Sequence, residues 1–156
     1  MKKIAVFAGS MDPITLGHLN VIERAATLFD EVIIGIGTNS TKQYLFSLTK
    51  RTNWCEEATS HLRNVRVATY DGLTIEFCKQ MGAQFLVRGI RNGGDFEYER
   101  SIAHMNQALS QEVETVLLFT DPQYAFIHST IIREIIRNKG NVSSFLPSVV
   151  NVYDEH

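Results

Sequence analysis

Several kinds of residue are scarce in this chain, and each scarcity removes a class of protein. Among 156 residues there are two cysteines, three prolines and one tryptophan. Cys55 and Cys78 stand far apart and form no CxxC pair, so neither a disulfide framework nor a cysteine metal knuckle is expected. Both fall on the apolar sides of predicted helices and read as buried free thiols of a reducing compartment. No apolar run approaches the ~18 residues of a membrane span. Met1-Lys2-Lys3 is followed by five apolar residues, too few for the core of a signal peptide. The expectation is a cytoplasmic protein with no membrane partner. A cationic excess is missing as well: fifteen Lys and Arg face seventeen Asp and Glu, a formal charge of −2. That balance argues against nucleic acid as a partner and leaves room only for local clusters of cations. GxxxxGK[ST] and GxGxxG are both absent, so phosphate binding, if present, uses another loop.

What is present is an ordinary globular balance, 44% hydrophobic and 21% charged, at a length that suits one domain, expected over residues 1–156. Continuous β-rich apolar runs occur at Ile4–Ala8, Val32–Ile36, Val65–Tyr70, Phe85–Val87 and Val113–Phe119. Between them apolar residues recur at helical spacing. His18, Val21, Ile22, Ala25 and Phe29 mark the first helix; Trp54, Cys55, Ala58 and Leu62 the second. Ile75, Cys78 and Met81 mark the third, closing near Gly82. Tyr98, Ile102, Met105 and Leu109 mark the fourth. Ile131, Ile132, Ile135 and Ile136 mark the fifth, with Asn138-Lys139-Gly140 as its stop signal. Continuous runs suit strands covered on both faces. The alternation predicts an α/β fold: an open, doubly wound parallel sheet of about five strands with helices on both faces. The tail from Pro147 to His156 is expected to end in a last helical turn or to fray.

Ligands of such a sheet bind at the carboxyl ends of its strands, and four of the turns there are chemically unusual. In the first, Gly9 permits a tight exit, Ser10 offers a hydroxyl, Pro13 breaks any helix, and Gly17-His18 opens one. A helix start aims free N–H groups and a positive dipole end at the crevice, a natural place for phosphate. His18 there either stabilises charge developing on phosphorus or packs on the core face with Val21 and Ile22. In the second turn Lys42 is either solvated or a mobile point charge for a phosphate. In the third, Arg88 and Arg91 flank a turn that continues into Gly93-Gly94-Asp95-Phe96-Glu97-Tyr98-Glu99. Their forks suit phosphate oxygens, or pair with Asp95, Glu97 or Glu99. In the last, Tyr124 to Thr130 opens the fifth helix. It forms a second anion site at a helix start, or is capped by Ser129 or Thr130.

Gly9-Ser10-Met11-Asp12-Pro13-Ile14-Thr15-Leu16-Gly17-His18 resembles the GSFDPxTxGH form of the (T/H)xGH signature of the nucleotidyltransferase superfamily. Arg88-Gly89-Ile90-Arg91 leading to Asp95-Phe96-Glu97-Tyr98-Glu99 looks like the RGxRxxxDFEYE motif of bacterial phosphopantetheine adenylyltransferases. His128-Ser129-Thr130-Ile131-Ile132-Arg133-Glu134 is similar to their SSSxxRE segment, and Phe145-Leu146-Pro147 to their late FLP. The resemblance runs over residues 3–147. Met11 stands where that family often has Phe, and His128 where Ser is common.

The resemblance implies a Rossmann-like nucleotidyltransferase fold and transfer of AMP from ATP to 4′-phosphopantetheine, giving dephospho-coenzyme A and pyrophosphate. It implies catalytic roles for His18, Lys42 and Arg91. It implies ATP contacts by Ser10, Met11, His18, Gly89, Ile90, Arg91, Glu99 and the run Tyr124, Ala125, Phe126, Ile127, His128, Ser129 and Thr130. Ser10, Lys42, Thr74 and Arg88 would contact phosphopantetheine. Mg²⁺ is expected on the ATP phosphates, with no protein metal cage. A homo-oligomer, a hexamer, and feedback by coenzyme A are carried over in the same way. Two alternatives stay open. One is a related enzyme acting on nicotinamide mononucleotide or glycerol 3-phosphate; the other is a non-catalytic nucleotide or coenzyme A sensor.

Overall fold

The computed structural model describes residues 1–39 and 41–153. Its elements are β1 (Ile4–Gly9), α1 (Leu16–Leu28), β2 (Glu31–Thr38), α2 (Leu48–Ala58), β3 (Val65–Asp71), α3 (Thr74–Gln80), β4 (Phe85–Ile90), α4 (Gly93–Leu109), β5 (Glu114–Phe119) and α5 (Ser129–Arg137), followed by a 3₁₀ turn at Ser143–Phe145. The five strands form one sheet in the order β3-β2-β1-β4-β5, and every neighbouring pair is parallel. The chain winds outward from β1 to β3, returns to lay β4 on the other side of β1, and ends at β5. The connections leaving β1 and β4 therefore diverge, and a crevice opens at their carboxyl ends.

Both faces of the sheet are covered, as the continuous apolar runs predict. Ala5, Phe7, Val32, Ile34 and Val87 pack beneath α1, α2 and α5 through Val21, Ile22, Ala25, Trp54, Cys55 and Ile132. Val6, Ala8, Ile33 and Leu86 face the opposite way and meet Ile75, Phe77 and Cys78 of α3. The two cysteines thus lie on opposite sides of the sheet as free buried thiols. Burial pushes Cys55 up to about 12 and Cys78 up to about 11, so neither is a ready nucleophile. Gly35 is required by packing: a Cβ there would lie 2.7 Å from Phe77 Cε1, whose ring stacks on Tyr70 at 4.4 Å.

Four details differ from the sequence expectations. β4 continues past Val87 to Ile90, because Arg88, Gly89 and Ile90 pair with Leu117, Leu118 and Phe119. α2 stops at Ala58, where the Thr59 hydroxyl donates to the Cys55 carbonyl at 2.7 Å; Leu62 lies beyond it, still against the core. The tail is pinned as far as Tyr153. Val150 is buried, and the Tyr153 hydroxyl accepts from Val142 N–H at 2.7 Å and donates to the Gly140 carbonyl at 2.9 Å. Residues 154–156 lie outside the described residues. The largest difference concerns α4. Its apolar stripe is helical as expected, but Tyr98, Met105 and Leu109 are 66%, 65% and 58% exposed. The helix buries only Glu99, so the periodicity reports an apolar face that this chain leaves partly in solvent. Among the described residues no helix is long and apolar enough to cross a membrane.

Candidate active site

A cavity of about 670 Å³ occupies the crevice at the carboxyl ends of the central strands, and all four unusual turns reach it. Ser10 and His18 arrive from the first, Lys42 from the second, Arg88 and Arg91 from the third, and His128, Ser129 and Thr130 from the last. Thr74, at the start of α3, lines the same space.

His18 is set by the start of its own helix. Thr15 is the N-cap of α1 and is buried. Its hydroxyl accepts from His18 N–H at 3.2 Å, and its own backbone N–H donates to His18 Nδ1 at 3.1 Å. A ring nitrogen that accepts carries no hydrogen, so the neutral ring bears its proton on Nε2. Burial, reinforced by Arg88, Arg133 and Arg91, lowers the imidazole from 6.5 to about 4. His18 is therefore a neutral N–H donor at physiological pH, held edge-on to Phe7 with ring centroids 6.2 Å apart. It lines the cavity rather than joining Val21 and Ile22 in the core.

The two arginines of the third turn do both things the sequence allowed. Arg88 grips Glu99 bidentately at 3.0 and 2.8 Å and donates to the Ala8 carbonyl at 2.7 Å. Arg91 grips Asp95 at 2.9 and 3.2 Å and donates to the Ile127 carbonyl at 2.9 Å. Burial opposes ionisation of Asp95, but the hydrogen bonds from the Arg91 side chain and backbone hold its pKa below the usual carboxylate value. Both guanidinium groups still line the cavity; their pairs aim them. Lys42 Nζ donates to Ser10 Oγ at 2.9 Å, which joins the first and second turns at the cavity wall.

The start of α5 corrects one reading. His128 is its N-cap and Ser129 its first residue, with no side-chain cap. The first-turn N–H groups are left without a side-chain acceptor at the edge of the cavity. Of the run from Tyr124 to Thr130, only Ile127 to Thr130 line the cavity. Successive tight turns bond Tyr124 N–H to Asp121 O and Ile127 N–H to Tyr124 O. These direct Tyr124 onto the core and Phe126 onto Phe145, and Ala125, between them, is not in the lining either. Ile90 is buried behind the wall. Met11 borders the cavity, but its side chain is 2% exposed and its φ of 48° lies in the left-handed region. Its side chain fills the core.

Sequence reasoning gave no role to Arg133, Tyr44 or Asp12, which also line the cavity. Arg133 was legible in principle. It stands three residues after Thr130, one turn along α5, so both share a face; its Nη2 donates to Thr130 Oγ1 at 3.3 Å and its Nη1 to the Asp12 carbonyl at 3.4 Å. Asp12 and Tyr44 are placed by a loop contact that no local spacing encodes.

The cytidylyltransferase-like family model matches residues 6–135. A phosphopantetheine adenylyltransferase of Flavobacterium psychrophilum is 48% identical over 95% of this chain and 97% of its own length. One of Thermosynechococcus vestitus is 50% identical over 94% and 88%. This chain belongs to the phosphopantetheine adenylyltransferase family. A solved Vibrio parahaemolyticus protein described as a nicotinate-nucleotide adenylyltransferase superposes with a TM-score of 0.70 at 21% identity, covering 94% of both chains. That likeness speaks for the nucleotidyltransferase fold alone. Within the adenylyltransferase family, the departure at Met11 falls on a core side chain, and the departure at His128 on an exposed N-cap whose side chain makes no cap hydrogen bond.

Proposed function

We propose that this cavity transfers the adenylyl group of ATP onto the phosphate of 4′-phosphopantetheine, releasing pyrophosphate and forming dephospho-coenzyme A. The observation that carries the choice of acceptor is a second cavity of about 270 Å³ that shares Thr74, Arg88 and Glu99 with the first. Leu73, Ile75, Leu86, Ile102 and Leu109 line it, with the Asn106 amide as a polar contact. A long, partly apolar arm attached to a phosphate fits this pair of spaces. Nicotinamide mononucleotide and glycerol 3-phosphate have no such arm.

The nucleophile is a phosphate monoester, whose second pKa near 6 leaves it largely ionised at neutral pH. No proton has to be removed; of the carboxylates at the site, Asp95 and Glu99 are held by arginines and Asp12 by the Leu45 and Phe46 N–H groups, rather than poised as bases. The barrier comes from bringing two polyanions into line and from charge moving onto pyrophosphate. Ser10 and Lys42 hold the acceptor phosphate beside the α-phosphate. His18 Nε2–H donates to the α-phosphate as charge develops there. Arg91 takes the outer phosphates, while Arg88 and Thr74 hold phosphopantetheine at the junction of the cavities. Gly89, Glu99 and the start of α5 serve the nucleotide, with Arg133 added to that group.

Among the described residues no three His, Cys, Asp or Glu gather into a metal site. Mg²⁺ is carried over from the resemblance as a partner of the ATP phosphates, which with water would hold it. A coenzyme A molecule would compete for the second cavity through its pantetheine arm, which gives feedback a physical route. The exposed Tyr98, Met105 and Leu109 of α4 support a homo-oligomer, a hexamer by resemblance; the cytoplasmic setting rests on the resemblance.

The experiment is a pyrophosphate-release assay with ATP or CTP against each acceptor. Turnover with ATP and 4′-phosphopantetheine is expected. Turnover with nicotinamide mononucleotide or glycerol 3-phosphate alone overturns the acceptor, and binding without turnover favours a sensor.

A further inference from the structure

Arg51, on α2, is 2% exposed, lies behind the cavity wall and has no carboxylate partner among the described residues. A buried cation without a counter-charge is an expensive arrangement, and an apolar side chain would fill the same space at less cost. What the guanidinium gains is geometry. Its Nη1 donates to the Ser10 carbonyl at 2.8 Å and its Nε to the Phe46 carbonyl at 3.1 Å. Its flat face lies 3.9 Å from the centre of the Tyr44 ring. One rigid fork thus ties the first turn, beside β1, to the loop that carries Lys42.

The rest of that loop is anchored to match. The Asp12 carboxylate, 3% exposed, accepts from Leu45 N–H at 2.7 Å and Phe46 N–H at 2.9 Å. The Tyr44 hydroxyl donates to the Gly37 carbonyl at 3.2 Å and accepts from Asn39 N–H at 2.9 Å. Lys42 N–H closes onto the Asn39 carbonyl at 3.0 Å. One foot of the loop is therefore fixed to the end of β2 and the other to the first turn. The exposed Lys42 reaches Ser10 from a loop whose far end, at Phe46, Arg51 ties to the Ser10 carbonyl.

The geometry points to Arg51 as a positioning residue that sets the distance between Ser10 and Lys42, and so the reach of both toward a bound phosphate. Its importance for turnover rests on the function proposed above; its effect on the Ser10–Lys42 pair does not. Arg51 touches no ligand and acts through these two.

The test is a double-mutant cycle of Arg51→Met and Lys42→Ala, with Arg51→Lys as a second variant that keeps the charge and loses the planar fork. Affinity for inorganic phosphate is measured by calorimetry and turnover by pyrophosphate release, with circular dichroism verifying the fold. Arg51→Met is expected to lower kcat by ~10–100-fold, the scale of a small misplacement, and to weaken phosphate binding. Both effects shrink when Lys42→Ala is already present, because one of the two groups being aimed is gone. Arg51→Lys should recover folding but not rate. Equal losses with and without Lys42, or a normal rate in Arg51→Lys, overturn the proposal. If the wild type proves inactive with phosphopantetheine, the acceptor assignment falls while the phosphate cycle still decides the role of Arg51.

Discussion

His18 is a neutral donor at the cavity, and its neighbours enforce that state twice. Thr15 supplies the backbone N–H that claims Nδ1, and burial with three arginines keeps a second proton off the ring. A charged imidazole would attract phosphate in the ground state and the transition state alike. A fixed N–H aimed at the place where charge develops favours the transition state. His18→Ala is expected to lower kcat on the order of 10²–10⁴-fold with little change in substrate affinity, read by steady-state kinetics. An NMR titration of the unliganded protein should find the ring neutral at pH 7, with Nε2 protonated. Because the folded pKa of about 4 lies below 6.5, the ring gains its charge only as pH falls well under the usual histidine range. A near-normal rate in the variant would return His18 to the role of a capping residue.

The approach of α1 to the sheet depends on a glycine at the end of β4. A Cβ on Gly89 would lie 2.8 Å from Val21 Cγ2, a buried side chain of the core-facing side of α1. Gly89→Ala is expected to destabilise the fold by ~1–3 kcal/mol through overpacking, and Val21→Ala in the same chain should restore part of the loss. Thermal unfolding of the single and double variants checks this; unchanged melting in Gly89→Ala would mean that α1 yields freely. The lack of a side chain on Gly89 lets α1 sit against β4, and α1 carries His18 to the cavity wall beside Phe7 of β1.

The sheet order converts sequence distance into proximity. Arg88 reaches the Ala8 carbonyl 80 residues away because β4 is laid beside β1 by the reversal in winding. The apolar stripe of α4 is divided: Ile102 lines the second cavity with Leu86 of β4, while Tyr98 and Met105 are exposed. Met105 and Leu109 are exposed, and Leu109 also lines the second cavity, so the proposed subunit contact and the proposed place of the acceptor arm fall on one helix. Analytical ultracentrifugation is expected to give about six times the 17.6 kDa chain mass, and Met105→Asp to shift the distribution toward smaller species. A wild-type mass of one chain would show that the stripe is not a subunit contact.

Local chemistry already declares the alternating elements, the two-sided burial of the strands and the four chemically unusual turns. Hydrophobic period, glycine position and helix-start residues act over a few residues, and neighbouring side chains suffice to specify them. His18, Lys42, Arg88 and Arg91 could be found in this way. Which carboxylate each arginine grips, which way the Tyr124–Phe126 turn faces, that α4 leaves part of its apolar stripe bare, and that Arg51 braces Ser10 against the Lys42 loop could not. Those outcomes depend on contacts between segments far apart in the chain, and such contacts exist only after the strands have taken their places in the sheet.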